Sequence, residues 1–209
     1  TLFRSGRRKA AWMVLYDSCF ASYAEEAGMD MILVGDSMGM IVYGFDGTVP
    51  VTMEMSIDHC KGVRKGAPNT YLIGDMPFGS YHASVEDAVN NAVRFIKDGE
   101  VDAIKLEGGV SVADKIEAIS KAGITVFGHI GLTPQSSAAL GGFKVQGKNI
   151  DTAKAIIEDA IAVYKAGART LLLEGVPEEV CAFVHKILPI PRSEEHTSEL
   201  QSRSAISYA

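Results

Sequence analysis

The chain has 209 residues, 47% of them hydrophobic and 22% charged, with a formal net charge of −6: room for one domain with a sizeable core, and the composition of an ordinary soluble globular protein. An acidic balance without any basic block argues against nucleic acid or an anionic membrane surface as partner, and no apolar run approaches the roughly 20 residues that cross a bilayer. The three cysteines, Cys19, Cys60 and Cys181, are widely spaced without a CxxC; with no apolar segment resembling a secretory signal, this fits idle thiols in a reducing cytoplasm better than a disulfide frame or a zinc site.

Taken in order, apolar runs and helical spacings alternate. A strand is expected over 11–16 and a helix over 18–27, closed by Gly28. A second strand, 30–35, leads into a long loop with Gly39, Gly44, Gly47 and Pro50, and then a helix over 53–65 with Thr52 as its cap. The third strand is 70–74, followed by a loop with Pro77 and Gly79 and a helix over 84–98, where Asp87 holds the capping-box position relative to Ser84. Strand four, 103–107, turns at Gly108-Gly109 into a helix over 111–122. Strand five, 124–129, precedes a Gly-rich loop over 131–147 and a helix over 151–166; strand six, 169–174, precedes a helix over 177–187. The recurrent Ala-Gly pairs at 27–28, 122–123 and 166–167 read as helix caps rather than a solenoid repeat.

The strands are continuous apolar runs, as expected where both faces of a parallel sheet are covered. Two architectures fit this alternation, an open doubly wound sheet and a (βα)8 TIM barrel. The barrel is favoured, because there is no GxGxxG at the first strand–helix turn and because every strand ends in a polar group. Those stops are Asp17, Asp36-Ser37, Asp75, Glu107 with Lys105 two residues before it, His129 and Glu174. A barrel brings all such ends to one mouth, and this set is mostly carboxylates.

Asp36, Asp75 and Glu107 offer the oxygen ligands that Mg²⁺ prefers, and three converging carboxylates would otherwise raise one another's pKa; the structural alternative is capping of helices or pairing with arginines. Lys105 shares a strand face with Glu107 and suits either a substrate carboxylate or an internal ion pair with Asp75 or Glu107. Glu174, closing the run Leu171-Leu-Leu173, suits a general base or a structural partner. His129 reads either as a second acid/base or as a satisfied core histidine. The stretch Gly141-Gly-Phe-Lys-Val-Gln-Gly147 lacks the ending of a P-loop and reads as a flap over the mouth.

The two ends break the pattern. Residues 192–202 and 1–5 resemble translated sequencing-adapter oligonucleotide, so 1–5 and 192–209 are set aside as artefact tails and the domain is taken as 6–191. Leu188-Pro-Ile-Pro191 then reads as the start of a further strand, leaving about six of eight βα units. A barrel short of two strands exposes unpaired edges, and the chain as it stands is expected to be poorly soluble or inactive.

Several motifs together resemble one family: Asp36-Ser37, Asp75-Met-Pro-Phe78, Lys105-Leu-Glu-Gly-Gly109, Gly128-His-Ile-Gly-Leu-Thr-Pro-Gln135, Gly141 to Gly147 and Leu173-Glu-Gly-Val-Pro177. In this order and spacing they are similar to ketopantoate hydroxymethyltransferases (3-methyl-2-oxobutanoate hydroxymethyltransferases). The resemblance implies a TIM barrel of the phosphoenolpyruvate-dependent superfamily and an enzyme of pantothenate synthesis. That enzyme transfers a hydroxymethyl group from 5,10-methylenetetrahydrofolate to 3-methyl-2-oxobutanoate through a Mg²⁺-stabilised enolate. It further implies Mg²⁺ at Asp36, Asp75 and Glu107, the 2-oxo acid at Asp36, Ser37, Asp75 and Lys105, Glu174 as proton acceptor, and a large homo-oligomer, often a decamer. The rivals are another Mg²⁺-dependent 2-oxo-acid lyase or mutase of that superfamily, which would call for a loop cysteine, and a non-catalytic ligand-binding barrel. The first strand departs from the family pattern at Met13-Val-Leu before Tyr16-Asp17.

Overall fold

The computed structural model describes residues 10–195. The 1–5 stretch and most of the 192–209 stretch set aside above lie outside the described residues. Strands and helices alternate as β1 (Trp12–Val14), α1 (Ser18–Glu26), β2 (Met31–Val34), α2 (Met38–Ile41), α3 (Met53–Gly66), β3 (Tyr71–Asp75), α4 (Val85–Lys97) and β4 (Ala103–Glu107). They continue as α5 (Ala113–Lys121), β5 (Thr125–Gly131), α6 (Ser137–Leu140), α7 (Ile150–Lys165), β6 (Thr170–Glu174), α8 (Glu178–Ile187) and β7 (Arg192–Glu195).

All seven strands are parallel, each beside its neighbour in sequence, in the order β1 to β7. A doubly wound sheet reverses its order at a switch point; this one does not. It is also curled. Trp12 on β1 and Phe127 on β5 stack with ring centroids 6.4 Å apart, whereas four strand spacings in a flat sheet would set them roughly 19 Å apart. Inside the curl Leu33, Ile73, Ala103 and Phe127 form an apolar floor with Trp12 and Tyr71. The opposite strand faces, carrying Ile32, Leu72, Ile104, Leu106, Val126 and Leu171, pack against the helices in the main core. Because side chains alternate along a strand, the residue two places beyond each floor residue also points inward. From Ile73, Ala103 and Phe127 that step leads to Asp75, Lys105 and His129.

The caps follow from the sequence. Asp17, Thr52 and Ser84 each accept a bond from a first-turn N–H of their helix, and Asn149 with Thr152 forms a reciprocal capping box on α7. Asp87 does not complete the box expected on α4; its carboxylate accepts from the Ser84 hydroxyl instead. Gly28, Gly123 and Gly167 have φ of 80°, 90° and 106°, the left-handed conformation expected of helix caps.

Three elements depart from the sequence reading. α2 lies in what reads as an uninterrupted loop; it contains Gly39 and its N-cap, Ser37, makes no side-chain cap bond, so neither propensity nor capping announces it. The turn Pro134–Ser136 and α6 occupy the start of the Gly-rich stretch, with Pro134 supplying the helical φ. The last strand does not begin at 188–191 but at Arg192, inside the stretch set aside as a tail. Pro189 and Pro191 have no N–H to give to a ladder; Pro191 contributes only its carbonyl, accepting from Leu171 N at 3.1 Å, and pairing proper runs from Leu171↔Arg192 to Glu174↔Glu195.

Candidate active site

The polar stops meet at one rim. Cross-strand register sets Asp75 beside Lys105 and Glu107 beside His129, and Glu174 beside Gly131, two residues beyond His129. Gly131 is needed there: its φ is +92°, and a Cβ would lie 2.3 Å from the carbonyl oxygen of Glu174. Asp36, Asp75, Lys105, Glu107 and His129 are each at most 4% exposed, so all their charges must be answered within the protein.

They answer one another in a chain. Lys105 Nζ is 2.6 Å from Asp75 Oδ1 and 3.6 Å from Glu107 Oε1. The other oxygen of Asp75 accepts from the backbone N–H of Asp36 at 3.1 Å. His129 lies between two carboxylates, Nδ1 3.4 Å from Glu107 Oε1 and Nε2 3.2 Å from Glu174 Oε2. Ser37, next to Asp36, shares a hydrogen bond of 2.8 Å with the hydroxyl of Tyr16. Asp17, the first of the stops, stays outside this network and caps α1 through Phe20 N.

The same neighbours shift the titrations in opposite directions. Burial opposes the charge of Lys105, but Asp75, Glu107 and Asp36 outweigh it and hold the ammonium protonated. Burial likewise opposes charge on Glu107, but Lys105 and His129 bring its carboxyl down to about 2. Burial, with Asp75 next to it, pushes Asp36 up to about 8. For His129, burial and Lys105 act downward, yet Glu107 and Glu174 raise it to about 9. His129 therefore meets Glu107 and Glu174 by proximity of charge, with neither ring nitrogen in hydrogen-bond geometry, and is not the satisfied core histidine that the sequence allowed. Lys105 takes its internal-pair alternative.

Two residues to which the sequence reading gives no role, one of them closing the motif Gly128 to Gln135, complete the site. Gln135, 4% exposed, donates from its side chain to Asp36 Oδ2 at 2.8 Å and to the carbonyl of Met76 at 3.0 Å, and from its backbone N–H to Glu107 Oε2 at 3.0 Å. Its Oε1 accepts from the hydroxyl of fully buried Tyr81 at 2.6 Å. The available signal was a Pro-containing turn directly after a strand end. The carboxylates of Asp36, Asp75 and Glu107 thus gather around Lys105 and Gln135, while among the described residues no group of three His, Cys, Asp or Glu side chains is arranged to hold a metal ion unaided.

A curled parallel β/α sheet with acids, a lysine and an imidazolium at the C-terminal rim of its strands defines an enzyme of the barrel class. Within that class, the chain belongs to the ketopantoate hydroxymethyltransferase family, whose model matches residues 2–192. Relatives named 3-methyl-2-oxobutanoate hydroxymethyltransferase include that of Alkaliphilus metalliredigens, 60% identical over 188 residues, covering 90% of this chain and 67% of the relative. Those of Heliobacterium modesticaldum and Bacillus subtilis are 49% and 51% identical, covering 88% and 86% of this chain and 67% and 65% of theirs. The chain thus spans about two thirds of the length of these relatives. Among solved structures, phosphonopyruvate hydrolase in complex with oxalate and Mg²⁺ has a TM-score of 0.69 at 17% identity, over 90% of this chain and 67% of that one. A 2,3-dimethylmalate lyase of the PEP mutase/isocitrate lyase superfamily has a TM-score of 0.66 at 19% identity, over 88% and 65%. At these identities the likeness shows a shared fold.

Proposed function

We propose that the protein transfers a hydroxymethyl group from 5,10-methylenetetrahydrofolate to 3-methyl-2-oxobutanoate, giving 2-dehydropantoate. The observation that carries this reading is the unbroken polar chain from Asp36 through Lys105 and Glu107 to His129 and Glu174, in a member of this family.

The donor set suits a hard divalent cation. Four carboxylates (Asp36, Asp75, Glu107 and Glu174) stand against two positive groups, Lys105 and His129, so the network is short of positive charge. Burial, and after it the neighbouring Asp75 carboxylate, push the Asp36 carboxyl up. Mg²⁺ takes oxygen ligands and keeps several waters, so it can be held by carboxylates that do not form a closed cage. In this reading Asp36, Asp75 and Glu107 supply its protein ligands. When bound it supplies positive charge to the oxygens of the 2-oxo acid.

Asp36, Ser37, Asp75 and Lys105 bind the 2-oxo acid, with the Lys105 ammonium facing an anionic oxygen of the substrate. Glu174, 14% exposed at its side chain and paired with His129, accepts the proton from C3, and His129 steadies the carboxylate while it does so. The electron pair left at C3 forms a bond to the methylene carbon of the folate; both C–N bonds of the methylene bridge break, the two folate nitrogens take up the proton lost from C3 and one from water, and that water supplies the hydroxyl oxygen of the product. A cytoplasmic homo-oligomer, a decamer by family resemblance, belongs to the same reading. The lyase and mutase alternative is disfavoured because Cys19, Cys60 and Cys181 lie on α1, α3 and α8, away from the strand ends.

The test is deuterium exchange at C3 of 3-methyl-2-oxobutanoate with Mg²⁺, followed by NMR alongside Mg²⁺-dependent binding of the acid. Exchange by the 209-residue chain would support the reading and refute the expected inactivity. Glu174→Gln is expected to abolish exchange and spare binding; equal loss of both would make Glu174 structural. Absence of Mg²⁺-dependent binding of the acid by the folded, unsubstituted protein would sink the reading, whereas absence of exchange alone is the inactivity expected above.

A further inference from the structure

Gln135 is tied to more of this site than any sequence feature announces. It follows Pro134 in the turn after β5, yet it touches Asp36 beyond β2, Met76 beyond β3, Glu107 at the end of β4 and Tyr81 in the loop after β3. Its amide orientation is fixed by chemistry. A backbone carbonyl only accepts, so Nε2 must face Met76 and with it Asp36, and Oε1 must face the Tyr81 hydroxyl. Both amide hydrogens and the amide oxygen are thereby engaged, and the backbone N–H is spent on Glu107. A single residue therefore holds one oxygen of Asp36 at 2.8 Å and one of Glu107 at 3.0 Å, from two ends of the same short segment.

We infer that Gln135, oriented by Tyr81, is a positioning residue that sets the separation of the Asp36 and Glu107 carboxylates for a divalent cation. The inference rests on the cation reading proposed above and extends it to a residue that supplies no charge. An acidic pair with only solvent or flexible side chains between its members would spread apart by mutual repulsion. Here a neutral amide bridges the pair, and the hydroxyl of buried Tyr81, which also lies 3.2 Å from the backbone carbonyl and N–H of Glu107, donates to the amide oxygen at the shorter distance of 2.6 Å and so favours one orientation of the amide. Supporting groups of this kind are worth about 10–100-fold in metal affinity.

The experiment is Mn²⁺ binding by electron paramagnetic resonance and calorimetry, at a temperature where each variant is folded by near-ultraviolet circular dichroism. Asp36→Asn is the control for the cation site and is expected to abolish binding. Gln135→Met, of similar length but without hydrogen bonds, is expected to weaken Mn²⁺ binding about 10–100-fold and to alter the Mn²⁺ spectrum. Tyr81→Phe is expected to cause a smaller loss in the same direction, and it carries the test should Gln135→Met fail to fold. Unchanged Mn²⁺ affinity in folded Gln135→Met, or in Tyr81→Phe if only that variant folds, would overturn the inference and leave the cation site standing. A wild-type protein that binds no Mn²⁺, or binds it equally well as Asp36→Asn, would overturn the cation reading and this inference with it.

Discussion

Replacing Lys105 by Met tests whether the centre is held by its internal ion pair. Lys105 and Asp75 are 2.6 Å apart with 5% and 2% of their side chains exposed, so water cannot take the place of the lost ammonium. A buried pair contributes little net stability relative to a matched apolar pair, but breaking it strands one charge, at a cost of about 3–5 kcal/mol. Glu107 at 3.6 Å loses the same counter-ion, which puts Lys105→Met toward the upper half of that range. For a chain of this size such a loss lowers Tm by roughly 8–20 °C. Pairing the change with Asp75→Asn removes the stranded charge and keeps the acceptor for the Asp36 N–H, which bonds to Asp75 Oδ2 at 3.1 Å. The double variant is therefore expected to recover about 2 kcal/mol or more of the loss. Equilibrium urea unfolding of wild type, both singles and the double gives the coupling directly. A Lys105→Met loss under about 1 kcal/mol, or a double variant no more stable than that single, would refute the argument that the pair is both intact and dry.

Other perturbations separate the rim from the scaffold. Arg64 joins Asp102 at 2.6 Å to the carbonyls of Thr70 at 2.9 Å and Glu100 at 2.9 Å, near the starts of β3 and β4; Arg64→Ala is expected to cost about 2–3 kcal/mol in urea unfolding without changing Mn²⁺ binding. Gly131→Ala forces a Cβ into the Glu174 carbonyl at 2.3 Å from a φ of +92°, and should cost about 2 kcal/mol or more and abolish C3 exchange by moving Glu174; retained exchange would count against Glu174 as the base. Asn149→Ala removes the α7 capping box and should cost about 1 kcal/mol by thermal unfolding, leaving exchange rates per folded molecule unchanged.

Much of this was legible because a parallel β/α sheet converts sequence position into spatial position. Each strand end that carries a polar stop after an apolar run marks a point on the rim, so Asp36, Asp75, Lys105, Glu107, His129 and Glu174 could be gathered without knowing a single distance. β4 and the end of β6 fall where the apolar runs place them. What could not be read was how those charges are shared. Nothing in the residues decides that Lys105 takes Asp75 at 2.6 Å and Glu107 only at 3.6 Å; register and side-chain reach decide it. Gln135 was hidden for a further reason. Its role depends on bonds to Asp36 and Tyr81, 99 and 54 residues away, and an amide in a Pro-containing turn carries no local mark separating it from Gln146 in the next loop, which bonds only to loop backbone. The start of β7 was missed because composition marks where apolar burial stops, while edge pairing is a backbone matter that Pro189 and Pro191 postpone to Arg192.

The asymmetry between Asp36 and Glu107 explains why these acids occupy one buried centre without dispersing it. Both accept from Gln135 and both are at most 4% exposed, yet Glu107 is brought down to about 2 and Asp36 pushed up to about 8. Their neighbours account for the split. Glu107 lies between Lys105 and His129, whereas the first charge near Asp36 is another carboxylate, Asp75. The protein thus meets the cost of burying Glu107 with its own cations and leaves Asp36 short of one. An acid left in that condition weakens the fold unless a positive charge arrives, and a positive charge arriving there lies within reach of the groups that continue through His129 to Glu174. The instability left at Asp36 and the affinity proposed for a divalent cation are therefore one electrostatic fact, set above the apolar floor of Leu33, Ile73, Ala103 and Phe127.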